Sequence, residues 1–179
     1  MKHLITSLAL VLATVAWTSW NTPADAQQPV QNLGGLKDLD LGVSVSPEDA
    51  VEIWAVLDKN IANYRMPVPD TIEAHLDTLV FPHVRIASGQ IQNLPTRKSY
   101  RDAVIDPSVG MQTGWDHSVW KTRRIVQADD KKVHVVTSFD RLTKDNRLIA
   151  TEHSLYILEK IDRHWGVRAR SSFGEPKVD

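Results

Sequence analysis

From Trp115 to Phe173, apolar and polar residues alternate in long runs broken only by short polar pairs. A period of two over such lengths marks strands rather than helices. Gly-Trp-Asp-His-Ser-Val-Trp at 114–120 opens the first run, and Lys131–Leu142, Arg147–Ile161 and His164–Phe173 supply the others. Tight turns are expected at Asp129-Asp130, Asp145-Asn146 and Asp162-Arg163, the middle pair being residues that tolerate positive φ. Upstream the period changes to that of a helix. Residues 47–64 carry Val51, Trp54, Leu57, Ile61 and Tyr64 at helical spacing, with Ser46 as N-cap and Pro47 at the first helical position. A second helix is expected from Asp70 to Leu79, behind Pro67-Val68-Pro69, and a third over 96–104, stopping before Pro107. Between them, Val84–Ile86 and Gln90–Leu94 read as short strands around Ser88-Gly89. This order predicts an α+β fold, a curved antiparallel sheet wrapped around about three N-terminal helices that fill its concave face.

Side chains alternate along a strand, so two-residue turns allow faces to be traced from one strand to the next. One face then collects Asp116, Ser118, Trp120, Thr122 and Val126, followed by Val133, Val135, Thr137, Phe139 and Arg141. It continues through Ala150, Glu152, Ser154, Tyr156 and Leu158 to Trp165, Val167, Ala169, Ser171 and Phe173. Rich in aromatics and poor in charge, this face is expected to be the concave one. The opposite face takes His117, Val119, Lys121, Arg123, Ile125, Val136, Leu155, Ile157, Arg168 and Arg170. Its apolar members, Val119, Ile125, Val136, Leu155 and Ile157, exceed what a monomer usually leaves in water, so a homodimer through the sheet is expected.

Composition adds a compartment and removes several chemistries. Lys2 and His3 precede an apolar run from Leu4 to Trp17, and Ala24-Asp25-Ala26 supplies small residues before Gln27. This is the pattern of a signal peptide over residues 1–26, too short and too interrupted for a membrane span, and it predicts a periplasmic or secreted protein with no integral span after cleavage. Residues 27–46, with Gly34-Gly35, read as a flexible lead-in, and 47–175 as one domain. The chain has no cysteine, which excludes disulfides and thiolate metal sites. A formal net charge of −1 gives no reason to expect nucleic acid as partner. The histidines lack metal-ligand spacing, and there is no Gly-rich phosphate loop and no GxSxG elbow. Neither a metal nor a cofactor is expected.

Phe81-Pro82-His83-Val84-Arg85-Ile86-Ala87-Ser88-Gly89, Gly114-Trp115-Asp116-His117-Ser118, Arg141 followed by Asp145-Asn146-Arg147, Tyr156-Ile157-Leu158 and Trp165-Gly166-Val167 together resemble the SnoaL-like branch of the NTF2-like superfamily. The likeness covers about residues 47–173. It implies a bent sheet wrapping three helices into a cone with an interior pocket. Ketosteroid isomerases, polyketide cyclases, dehydratases and epoxide hydrolases use such a pocket, as do many non-enzymatic binding domains. The fold is thereby implied more narrowly than the function.

Within such a pocket, Arg141 lies diagonal to Glu152, and Asp116 falls toward the same end of the neighbouring strand. Diagonal cross-strand neighbours are about 7–8 Å apart, within reach of an arginine and two carboxylates. One carboxylate could serve as a general acid or base with Arg141 holding the other ionised, or the three could form a salt-bridge cluster that orients the strands. Asp116 and His117 are neighbours, as are Glu152 and His153, so strand alternation sends each pair to opposite faces. His83, at the start of the short hairpin, and the hydroxyls of Tyr64 and Tyr100 are further candidates for a small-molecule ligand, and Trp120, Phe139 and Tyr156 either line or pack the interior. Two functions remain open: a binding or dimeric accessory domain for a small apolar, oxygenated molecule, and an isomerase, dehydratase or cyclase using Asp116 or Glu152.

Overall fold

The computed structural model describes residues 45–87, 89–104 and 114–173. The expected signal peptide and all but the last two residues of the expected lead-in lie outside them. The first helix, α1 (Pro47–Asn63), starts where its cap requires: Ser46 is extended and its Oγ accepts from the Asp49 N–H at 3.1 Å. Its buried residues are Ile53, Leu57 and Asn60, whereas Val51 is 71% exposed, so the inward stripe is rotated from the one expected. Helix α2 (Val68–Leu76) begins two residues before the expected Asp70, because Pro67 is extended and the next residues already turn. It stops short of Leu79, which instead opens β1 (Leu79–Ala87). Strand β2 (Gln90–Leu94) and helix α3 (Arg97–Val104) follow, the latter with Thr96 and Ser99 exchanging side-chain to backbone hydrogen bonds at its start. Four long strands complete the chain: β3 (His117–Ala128), β4 (Lys132–Leu142), β5 (Leu148–Ile161) and β6 (His164–Phe173).

These strands form one curved six-stranded sheet in the order β2-β1-β6-β5-β4-β3. Every neighbouring pair is antiparallel except β1 and β6, which run parallel and make the sheet mixed. The β1–β6 register skips between Leu79↔Val167 and Val84↔Ala169, across Pro82, which has no N–H to give to a ladder. Close approach is needed here, since a Cβ on Gly166 would sit 2.7 Å from Val80 Cγ2. The turns set the registers. Asp162 and Arg163, at φ 50° and 71°, make the two-residue β5–β6 turn that had been expected. Asn146, at φ 60°, closes a longer β4–β5 loop in which its N–H and that of Arg147 return to Thr143. The body of that pair nevertheless keeps the expected register, with Phe139 opposite Glu152 and Arg141 opposite Ala150.

Bulges change what faces inward. In β3 the register shifts between Trp120 and Thr122 and again between Ile125 and Gln127, so Arg123 faces Thr137, Ile125 faces Val135 and Ala128 faces Val133. Strict alternation had put Arg123 and Ile125 outside and Thr122 and Val126 inside. In β6, Val167 pairs with Leu158 but Ala169 pairs with Ile157, leaving Arg168 as the extra residue. Beyond that bulge Arg170 and Ser172 replace Ala169 and Ser171 on the concave side, and Phe173 is exposed.

The concave face is graded along its strands. Val133, Val135, Leu158, Tyr156, Trp165 and Val167 pack with Ile53 and Leu57 of α1 in one cluster, while Val68, Ile72, Leu76, Leu94, Tyr100 and Trp115 form a second around α2 and α3. Further along β4, β5 and β6 the inward residues become Phe139, Arg141, Glu152, Arg170 and Ser172. That end is left unfilled by the helices. Among the described residues no helix is long and apolar enough to cross a membrane.

Candidate functional site

The unfilled end is a cavity of about 350 Å³. Tyr64 at the end of α1, Trp115 before β3, and Phe139 on β4 give it aromatic walls. Arg85 on β1, Arg141 on β4, Glu152 on β5 and Arg170 on β6 give it charge. A smaller recess beneath, lined by Asn60, Tyr64, Phe139, Tyr156 and Arg170, carries the space toward the core.

The Arg141–Glu152 pairing expected from register is present: Arg141 Nη1 lies 3.8 Å from Glu152 Oε1, with the two side chains 27% and 18% exposed. The same guanidinium stands 5.2 Å from the centroid of the Trp115 ring. Asp116 stands apart from this pair. It precedes β3, where strand alternation does not apply, and its Oδ2 accepts from His117 Nδ1 at 2.8 Å with Arg65 Nη2 at 3.8 Å. The residue of this segment that lines the cavity is Trp115, whose Nε1 donates to Ser118 Oγ at 3.1 Å. Asp116 and His117, expected on opposite faces, are therefore in contact with each other and absent from the cavity wall.

Of the remaining candidates, Tyr64 and Phe139 line the cavity and Tyr156 lines the recess below it. Trp120 lines neither. It packs edge-on against Phe139 and Tyr156 with centroids 5.9 and 5.7 Å away, and its indole N–H is buried without a hydrogen-bond partner. Tyr100 and His83 sit deeper, around a narrow gap next to His75, Asn60 and Arg170. His75 Nδ1 donates to the Asn60 carbonyl at 3.0 Å, so its Nε2 is the acceptor for the Tyr100 hydroxyl at 2.9 Å. His83 Nδ1 likewise donates to the Val167 carbonyl at 3.0 Å. Burial holds both imidazoles neutral, pushing His75 down to about 3 and His83 to about 4, and the nearby Arg85 and Arg170 push the same way. Burial also raises the hydroxyl pKa of Tyr100 and Tyr156. These groups are held as neutral hydrogen-bonding or packing elements.

Arg85 and Arg170 were not singled out from sequence. They are direct partners across the β1–β6 junction, both line the cavity, and among the described residues neither meets a carboxylate. The Arg170 guanidinium lies 5.1 Å from the Phe139 centroid and 5.4 Å from that of Tyr156, and its Nε is buried with no hydrogen-bond partner. Arg85 stands 5.9 Å from the Tyr100 ring. Arg85 could have been found from the period of β1, two residues beyond His83. Arg170 could not, because only the bulge at Arg168 turns it inward. Arg168 itself stays outside, donating to Glu159 Oε2 at 2.7 Å and to the Pro82 carbonyl at 2.9 Å. Among the described residues no three His, Asp or Glu side chains gather as a metal site would need.

No family model and no curated protein matches the chain. Solved structures do. A protein of unknown function with a cystatin-like fold from Nostoc punctiforme superposes with a TM-score of 0.61 at 12% identity, over 75% of this chain and 97% of that one. An NTF-2 like protein of unknown function from Shewanella oneidensis gives 0.51 at 17% identity over 69% and 97%. An uncharacterized protein with a cystatin-like fold from Caulobacter vibrioides gives 0.54 at 10% identity over 73% and 92%. At these identities the likeness speaks to architecture, and together with the six-stranded curved sheet and its three helices it shows that this chain has the NTF2-like fold.

Proposed function

We propose that this chain is an exported pocket protein that binds a small, largely apolar, oxygenated molecule. The observation that carries this reading is the cavity of about 350 Å³ at the open end of the sheet, lined by aromatic and charged side chains together. A volume of that size with a few converging polar groups is what small-molecule sites have. The test is a fragment screen by ligand-observed NMR on wild type and on Ala87→Trp, which fills the cavity from β1. Fragments that bind wild type and lose the variant support the reading, and a wild type that binds none of a broad aromatic set refutes it.

A second reading is favoured by one position. Among the described residues Glu152 is the carboxylate on the cavity wall, its side chain is 18% exposed, and it is the natural general base of an isomerase, dehydratase or cyclase. On this reading Glu152→Gln removes turnover and leaves ligand binding nearly intact, whereas a pure binding module has no turnover to lose. Export rests on the pattern of residues 1–26 and is checked by mass spectrometry of protein secreted by a bacterial host, with Gln27 expected at the mature N-terminus and intact Met1 counting against it. Homodimerisation through the outer sheet face completes the proposal. The exposed Val119 and Val136, 42% and 44% accessible, support it.

A further inference from the structure

We infer that the molecule this cavity takes is a small organic carboxylate, its anionic end held between the guanidinium groups of Arg85 and Arg170 and its apolar body against Tyr64, Trp115 and Phe139. This rests on the pocket reading above and adds the ligand's charge and orientation. Arg85 and Arg170 are cross-strand partners on adjacent strands. Strand neighbours are about 4.8 Å apart, and like charges directly opposite destabilise a sheet. Such a pair is expected to carry a counter-charge. Among the described residues the protein supplies none to them: the carboxylate on the cavity wall, Glu152, lies 3.8 Å from Arg141. Among the described residues, three arginines therefore share the cavity with one acid.

The arginines are also pre-set. Tyr100 lies under Arg85, and Phe139 and Tyr156 flank Arg170, so the aromatic rings hold the planar forks in place without neutralising them. The Arg170 Nε is buried without a hydrogen-bond partner, so the cavity-facing hydrogen bonds of this guanidinium are left to its Nη groups. Arginine forks match a carboxylate in two-point geometry. Phosphate shares that chemistry, but it leaves the aromatic wall with nothing to cover.

The experiment measures affinity by calorimetry for three probes: 3-phenylpropionate, its neutral counterpart 3-phenylpropanol, and inorganic phosphate. The expected result is that the acid binds wild type at least about tenfold tighter than the alcohol or phosphate, the scale of one charge-assisted hydrogen bond. Arg85→Met and Arg170→Met should each remove most of that preference. Arg170→Lys, which keeps the charge and loses the fork, should remove part of it. Alcohol binding as tightly as acid overturns the inference and leaves the pocket reading standing. Phosphate binding as tightly as the acid also overturns it, since the site is then a plain anion hole. If neither organic probe binds, this inference falls and the fragment screen alone decides the pocket reading. Should an arginine variant not fold by circular dichroism, the acid-to-alcohol ratio on wild type decides alone.

Discussion

Asn60 is a polar side chain 4% exposed in the middle of a helix face, and its surroundings explain why it is tolerated there. Its Nδ2 donates to Thr78 Oγ1 at 2.7 Å, Thr78 Oγ1 donates to the His75 carbonyl at 2.6 Å, and His75 Nδ1 donates a hydrogen bond back to the Asn60 carbonyl at 3.0 Å. The loop ties α1 to α2 and to the start of β1. A buried ring of this kind stabilises only while each member keeps its partner and its charge state. His75 in this ring, and His83 on the Val167 carbonyl, are the acid-sensitive points. Their folded-state values, about 3 and about 4, lie below the ordinary 6.5, so between those limits the unfolded chain binds protons that the folded chain refuses. Stability should be intact near pH 7 and fall as the pH drops below about 6.5, with a slope of at most about 1.4 kcal/mol per pH unit for each imidazole. Urea denaturation at pH 7, 6 and 5 measures it, and a flat profile over that range would contradict the buried neutral state. Trp165 is a second such point, 5% exposed and anchored through its indole to Asp49 Oδ1 at 2.7 Å and through its backbone N–H to Glu52 Oε1 at 3.0 Å. Trp165→Ala should cost about 3–5 kcal/mol by chemical denaturation. A loss below about 1 kcal/mol would show that it does not sit in a packed core.

At the scale of elements, the bulges separate what the sequence discloses from what it hides. Helix α1, the β5–β6 turn and the Arg141–Glu152 diagonal were legible because caps, turn residues and alternation act locally and agree with one another. A bulge has no such mark: one added residue obeys the same propensities as its neighbours and only the partner strand reveals it. For that reason Ile125 and Arg123 were assigned outward, yet Ile125 packs on the main cluster and Arg123 Nη1 donates to Asp58 Oδ1 of α1 at 2.6 Å. Arg170 was hidden in the same way, and Asp116 was misplaced because alternation was extended beyond the strand's first residue. The helix stripe failed differently. Val51 has the right spacing but lies on the outer side, since Ile53 and Leu57 already fill the facing sheet. These assignments make a paired test. Ile125→Ala should cost about 2 kcal/mol and Val51→Ala under about 0.5 kcal/mol, the reverse of what pattern alone implies for the two positions. Equal effects would place the β3 bulges elsewhere.

For the whole molecule, the concave side is occupied by helices and cavity, which leaves the outer face of β3 to β5 as the surface available for assembly. Val119 and Val136 are exposed there, with Leu155 and Ile157 half-buried beside them. Ile125 packs against the main core cluster and is not part of this face. The patch is smaller than sequence suggested, and it predicts a dimer sensitive to a single charge. Light scattering should give twice the monomer mass at micromolar concentration, and Val136→Lys should halve it; a monomeric wild type would refute assembly through this face.

The parallel β1–β6 junction has a consequence in time. His83 and Val167 touch across 84 positions of chain, so this seam is among the most non-local contacts in the fold. Such seams raise contact order and form late. The strand that closes the seam, β6, follows the other five described strands along the chain, and it brings Trp165, Val167 and Arg170 with it. A nascent chain can thus have its three helices and five of its strands and still lack the closing strand that completes its core and carries one wall of its cavity. Folding is therefore deferred until β6 has been made. A chain ending at Ile161 should show the circular dichroism and protease sensitivity of an unfolded polypeptide, and adding a peptide of residues 162–173 in trans should restore protection. Cooperative melting of the truncated chain by itself would mean the seam is dispensable.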